Sequence, residues 1–150
     1  MSQHRDQITE QMFLYAERLD AGDFEGVARV FEHGRITSEV ADAPSEGYDG
    51  VLAMYQNATR IYPETGTPRT QHVNSNIIIT LAEDEQTATA RSRFTVFQQT
   101  PELPLQAIIC GTYHDQFHKV DGQWRFKERK MLPTLLGDLS QHLLFELDKQ

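Results

Sequence analysis

Gly111-Thr-Tyr-His-Asp-Gln-Phe-His-Lys-Val-Asp-Gly-Gln-Trp-Arg-Phe-Lys-Glu-Arg129 is the stretch on which the fold turns. Two extended runs meet at Asp121-Gly122, and Asp-Gly between such runs signals a tight hairpin because both central turn positions need φ > 0. The spacing therefore predicts strands over 105–120 and 123–131. Upstream, further extended runs occupy 70–81 and 86–99, divided by the acidic turn Glu83-Asp84-Glu85, with Pro101 and Pro104 before the third strand. Long β-branched and aromatic runs with short connections predict an antiparallel meander, which must coil.

The region before residue 70 reads as helical. Residues 4–20 place Ile8, Met12, Phe13, Ala16 and Leu19 on one stripe, and Gly22 ends the helix. Asp23 is a candidate N-cap for a second helix with Val27, Ala28, Val30 and Phe31 inward, followed by a strand over 36–40. Pro44–Gly47 reads as a loop. Asp49 is the expected cap of a third helix carrying Val51, Leu52, Tyr55, Ala58, Ile61 and Tyr62, which Pro63 and Gly66 stop. After Pro133 and Gly137, Leu139, Leu143, Leu144 and Leu147 suggest a C-terminal helix that covers an opening or meets a second subunit.

The chain's 150 residues fit one domain, with 39% hydrophobic and 24% charged residues as in ordinary globular proteins. No apolar run is long enough to span a bilayer and the first residues lack a signal-peptide core, so the expected compartment is the cytoplasm, with no membrane partner. A formal net charge of −8 without a basic cluster argues against nucleic acid. The single cysteine, Cys110, sits in a strand pattern and reads as a buried thiol, with a nucleophile as the alternative.

Two residues stand out chemically. Asp20 lies in the last turn of the first helix, on the stripe of Phe13 and Ala16, where the helix dipole disfavours a carboxylate. It is either an exposed terminal residue or a functional one. His72 begins the first long strand in Thr70-Gln-His-Val-Asn-Ser-Asn76-type alternation, on one face with Thr70 and Asn74. It is either a structural hydrogen-bonder or, with a carboxylate on one ring nitrogen, a general base. Tyr15, Tyr55 and Tyr113 are core residues or phenol donors to a developing oxyanion. Tyr15 lies about 140° around the helix from Asp20, so both contribute only to a wide pocket. Gly111 leaves room for a ligand or a bend.

Metal chemistry has little support, because His114 and His118 on one strand stand about 13 Å apart, too far for a single ion, and read as surface residues. Phosphate-loop, dinucleotide, nucleophile-elbow and paired-cysteine motifs are missing from the sequence, so no cofactor is expected. Arg129 and Lys130 read as solvated residues at a strand end, with an anionic substrate as the alternative.

The segments Leu19–Phe31, Thr70–His72 and Gly111–Phe126 together resemble the SnoaL-like branch of the nuclear-transport-factor-2-like superfamily, over nearly the whole chain. The similarity is nearest to the group holding scytalone dehydratase, hexachlorocyclohexane dehydrochlorinase and bile acid 7α-dehydratase. That resemblance implies an α+β fold, a cone-shaped curved antiparallel sheet wrapped around three N-terminal helices with a C-terminal helix and a cavity between. It implies Asp20 and His72 as a catalytic dyad and Tyr15 as the counterpart of a bile-acid-enzyme tyrosine. The positions of scytalone dehydratase's second histidine, serine and asparagine fall at Val96, Gly111 and Tyr113, which with Tyr55 make the expected substrate contacts. The expectation is a cofactor-independent lyase, eliminating water, or an isomerase acting on a small apolar cyclic molecule. The alternative is a non-catalytic binding or assembly module, such as a dioxygenase β-type subunit; a homodimer or homotrimer is expected by family analogy.

Overall fold

Helix α1 (Ser2–Asp20) opens the chain in the computed structural model, which describes residues 2–146. Its buried stripe runs Ile8, Met12, Tyr15, Leu19. Steps of four, three and four residues keep these side chains on one face. The expected stripe was rotated from this one: Phe13 is 50% exposed and Tyr15 takes the inward position. Helix α2 (Phe24–Val30) is capped by Asp23, whose side chain accepts from the Gly26 amide at 2.8 Å.

Strand β1 (Arg35–Ser38) pairs with a two-residue strand β2 (Ser45–Glu46), so the segment read as a loop supplies the sheet's outermost strand. Helix α3 (Gly47–Ala58) starts two residues before Asp49, which lies in its first turn. It also ends at Ala58 instead of continuing to Tyr62. Thr59 is extended (φ −112°, ψ 128°) and bridges Leu143, while Tyr62 bridges Thr67. Lateral pairing thus takes backbone groups that another helical turn would have used.

The meander follows as β3 (Thr70–Leu81), β4 (Thr87–Thr100), β5 (Leu103–Val120) and β6 (Gln123–Leu136). Asp121 and Gly122 close the last hairpin with φ of 52° and 80°. The sheet order is β2-β1-β6-β5-β4-β3. It is mixed, because β1 runs parallel to β6. The helices pack on its concave side, where Phe31, Ile108, Phe117 and Phe126 are all at most 1% exposed.

Register shifts interrupt all three long ladders. On β6, Gln116 pairs with Glu128 and Phe117 with Phe126, leaving Lys127 without an opposite number. One inserted residue reverses the alternation that follows it. Trp124 and Phe126 point inward, and so do Arg129 and then Met131.

The expected C-terminal helix does not form among the described residues. Only one helical turn closes, through the Leu143 amide to the Leu139 carbonyl at 3.0 Å. Beyond it the Leu144 amide donates to Ala58 and the Arg60 amide to His142, at 2.9 and 2.8 Å, so the segment is a strap laced to the end of α3. Leu147 lies outside the described residues. The Leu-rich pattern predicts a helix that covers an opening or meets a second subunit; the segment instead packs Leu139 on the core and pairs its backbone sideways.

Gly22 (φ +76°) fastens the end of α1: a Cβ there would stand 2.3 Å from the Gly66 carbonyl oxygen. Gly22→Ala is expected to lower stability by about 1–3 kcal/mol in urea unfolding. Gly47→Ala, with φ +62° and no atom within 4 Å of the added methyl, should cost no more than about 1 kcal/mol, separating the clash from the backbone effect.

Candidate active site

The end of α1 meets the start of β3, and there Asp20 accepts three hydrogen bonds. One oxygen takes the His72 ring Nδ1 at 2.6 Å and the Thr70 hydroxyl at 2.9 Å; the other takes the His72 backbone amide at 2.8 Å. One carboxylate thereby fixes both the strand and the imidazole it carries. The His72 side chain is 8% exposed and that of Asp20 21%.

His72 lines a cavity of about 420 Å³. Its walls come from α1 (Tyr15, Leu19), α3 (Met54, Tyr55, Ala58), β4 (Phe94, Val96), β5 (Ile109, Tyr113) and β6 (Met131, Pro133). The strap contributes Leu139, His142 and Leu143. Asp20 is not in this lining. It stands behind the imidazole, which reaches across to within 6.4 Å of the Tyr15 ring, centroid to centroid. That resolves the angular separation of Tyr15 and Asp20 on the helix: His72 spans it.

Tyr55, Val96 and Tyr113 line the cavity as well, whereas Gly111 does not. A Cβ at Gly111 would fall 2.6 Å from the Phe94 ring and 2.5 Å from the Leu132 carbonyl oxygen. The space left by its missing side chain is filled by Phe94, which stacks on Tyr113 at 4.4 Å. No ligand fits there. The bend expected at Gly111 is present as the register shift between Cys110 and Gly111.

The Tyr15 and Tyr55 hydroxyls are hydrogen-bonded to each other. Burial raises the pKa of Tyr15, against the opposing pull of Arg129, and raises those of Tyr55 and Tyr113 further. All three are phenols, hence hydrogen-bond donors, at neutral pH.

Beneath the tyrosines lies a feature the sequence reading placed in solvent. Arg129 is fully buried and grips Asp115 through two parallel bonds of 2.9 and 2.8 Å. Its guanidinium lies 3.6 Å from the Tyr113 ring centroid and 4.6 Å from that of Tyr15. Burial pushes the Asp115 carboxyl up, opposed by Arg129; burial likewise disfavours the Arg129 charge, but Asp115 more than restores it. The bidentate geometry is that of an ion pair. Asp115 shares a strand face with Tyr113 and Phe117, a signal in the alternation that the sequence reading did not use. Arg129 was hidden by the bulge at Lys127. Lys130 is exposed, as expected.

His142 is the other unforeseen residue. It is 8% exposed, three residues beyond Leu139 on the strap, and its Nδ1 has no hydrogen-bond partner. Burial, reinforced by His72 and partly opposed by Asp20, lowers its pKa to about 4. His114 is exposed and the His118 ring nitrogen is 3.1 Å from the His33 carbonyl oxygen. Among the described residues no group of three or more metal-ligating side chains occurs, and no helix is long and apolar enough to cross a membrane. Cys110 is half-buried, with its thiol 3.7 Å from the Thr95 hydroxyl.

A family model for the SnoaL-like domain matches residues 1–130. The chain belongs to this family. Among solved structures, this SnoaL-like protein is similar to a candidate scytalone dehydratase from Novosphingobium aromaticivorans, with 28% identity, 90% of this chain and 89% of that one covered, and a TM-score of 0.69. An NTF2-like protein with a cystatin-like fold from the same organism gives 21% identity, 87% and 81% coverage, and a TM-score of 0.70. A candidate aromatic ring hydroxylase, also from that organism, gives 19% identity, 94% and 97% coverage, and a TM-score of 0.73. The matches of lower identity establish the NTF2-like fold. No curated protein matches the chain.

Removing one partner of the buried ion pair should cost more than removing both. Arg129→Met is expected to destabilise by about 3–5 kcal/mol, because it strands a buried carboxylate, and the double variant Asp115→Leu/Arg129→Met to recover much of this in denaturant unfolding. His142 gives a signed pH dependence. Its folded pKa lies below the unfolded value of 6.5, so the unfolded chain binds the extra proton and stability falls as pH drops through 6.5 toward 4. From about pH 7.5 to about pH 5 its share is about 2 kcal/mol, and His142→Leu should lose that much less stability over the same range.

Proposed function

We propose that this SnoaL-like protein is a cofactor-independent lyase of the dehydratase type, or an isomerase, acting on a small, largely apolar cyclic molecule. The observation that carries the reading is the Asp20–His72 contact at the wall of an apolar cavity. With Nδ1 held by the carboxylate, Nε2 is the ring nitrogen left to accept a proton from a substrate carbon. Asp20 orients the ring and stabilises the imidazolium that forms. One proton of the Tyr15–Tyr55 pair is held between the two hydroxyls, and the other, with that of Tyr113 beside them, is donated to the oxygen on which negative charge develops.

For elimination the electron balance is simple. His72 takes the proton from the carbon next to a carbonyl and the C–H electrons form the enolate, which the phenols stabilise. Those electrons then form the carbon–carbon double bond as the β-hydroxyl departs, and the imidazolium returns its proton to the departing oxygen to give water. An apolar pocket strengthens each of these polar contacts by excluding bulk water. The candidate scytalone dehydratase among the similar structures supports elimination over the isomerase version. The proposal includes a cytoplasmic homodimer or homotrimer, favoured by Phe97 and Leu105, which lie beside each other on the outer sheet face and are 36% and 67% exposed.

A benzo-fused cyclic β-hydroxyketone, whose loss of water gives a fluorescent naphthol, tests the chemistry directly. Wild-type protein should accelerate naphthol formation, and His72→Gln should slow it by about 10²–10⁴-fold, the usual contribution of a positioned base. Asp20→Asn should reduce the rate in the same direction. If α-carbon deuterium exchange and elimination across a panel of such ketones are both unaffected by the two variants, the protein is a binding or assembly module instead.

A further inference from the structure

His142 performs no visible structural duty with its side chain. Its backbone amide donates to the Leu139 carbonyl at 3.1 Å and its carbonyl accepts from the Arg60 amide at 2.8 Å, so the main chain alone holds the strap. The imidazole lies on the cavity wall with Nδ1 buried and unpartnered. A leucine or phenylalanine would seal an apolar pocket at that position without burying an unpaired nitrogen. Buried polar groups in native proteins are almost always satisfied, and one that is not calls for a specific explanation.

We propose that His142 is a substrate-binding residue whose imidazole pairs with a second hydroxyl or carbonyl of the ligand, in addition to the oxygen held by the tyrosines. The inference rests on the reading of the cavity as a substrate site, and it narrows the class of substrate to rings carrying two oxygens. Because burial keeps the ring neutral near physiological pH, it offers one donor and one acceptor nitrogen and suits either group. Recognition of this kind is discriminating. A site that commits a buried polar atom to a substrate hydroxyl strongly rejects the analogue without one, because the atom is again left unpaired.

The location adds a second consequence. Leu139 and Leu143 flank His142 on the strap and line the same cavity, so a ligand bonded to His142 also holds the strap against the pocket. Specificity and closure then share one residue.

Binding, measured without turnover, tests this separately from the proton-transfer chemistry. Naphthalene-2,7-diol and 2-naphthol are titrated by calorimetry against the wild-type chain, His142→Phe and His142→Asn, with folding of each variant checked by circular dichroism. The wild type should bind the diol at least about tenfold more tightly than the mono-ol. His142→Phe should abolish that preference while keeping affinity for 2-naphthol, and His142→Asn, which keeps a polar atom near the Nδ1 position, should restore part of it. Equal binding of the two probes by the wild type, or an undiminished diol preference in His142→Phe, overturns the assignment. Loss of elimination activity in His72→Gln with an intact diol preference would uphold both readings. A diol preference without any proton transfer would leave His142 as a binding residue in a non-catalytic pocket.

Discussion

The grip of Asp20 on Thr70 and His72, the first and third residues of β3, is the constraint around which the site is arranged. A carboxylate at the C-terminal end of a helix works against the helix dipole, and here it is offset by three donors converging from the neighbouring strand. The same contact ties the helix layer to the sheet beside the cavity. It also fixes the orientation of His72, which is itself part of the seam. Structural and chemical roles therefore cannot be separated at this point in the chain: whatever moves the helix end also turns the imidazole.

Behind the cavity a second polar system plays a different part. Asp115 and Arg129 face each other across β5 and β6 and neutralise one another in a region closed to solvent. The guanidinium underlies the rings of Tyr113 and Tyr15, so its charge acts on the phenols through their faces as well as through space. It favours negative charge on those hydroxyls, against burial, which disfavours it. The result is a set of hydroxyls that stay protonated and are nevertheless polarised by the cation beneath them.

Much of this was legible from residue order, and the failures have common causes. The Asp121-Gly122 turn and the long β-branched runs located the meander, although the last strand continues past its expected end at 131, through Pro133 to Leu136. Asp20 stood out because a carboxylate at a helix C-terminus conflicts with the dipole, His72 because an imidazole beside a carboxylate can take a proton, and the structure brings them into contact. Helix periodicity on α1 gives a single stripe that assigns Phe13 inward, where the structure places Tyr15. Gly111 suggested open space that a ring from the next strand occupies, a packing fact to which one-dimensional patterning is blind. The strap carried a helical leucine spacing, yet the free carbonyl at Ala58 and the amide at Arg60 drew its backbone into sideways pairing. His142 was masked by that same misreading.

The unpaired residue at Lys127 has an implication for how this sheet tolerates change in length. Downstream of it, parity decides whether a guanidinium or an ammonium enters the interior: Arg129, Met131 and Pro133 face in, Lys130 faces out. Excising Lys127 itself would join Phe126 to Glu128, keep Glu128 opposite Gln116 and Arg129 opposite Asp115, and restore plain alternation, whereas excising a regularly paired residue would slip one side of the cut by one position and turn its side chains to the wrong face. Loss of Lys127 should thus be tolerated far better than loss of a regularly paired residue of β6, and homologues without the insertion should carry unbroken inward and outward alternation across that point.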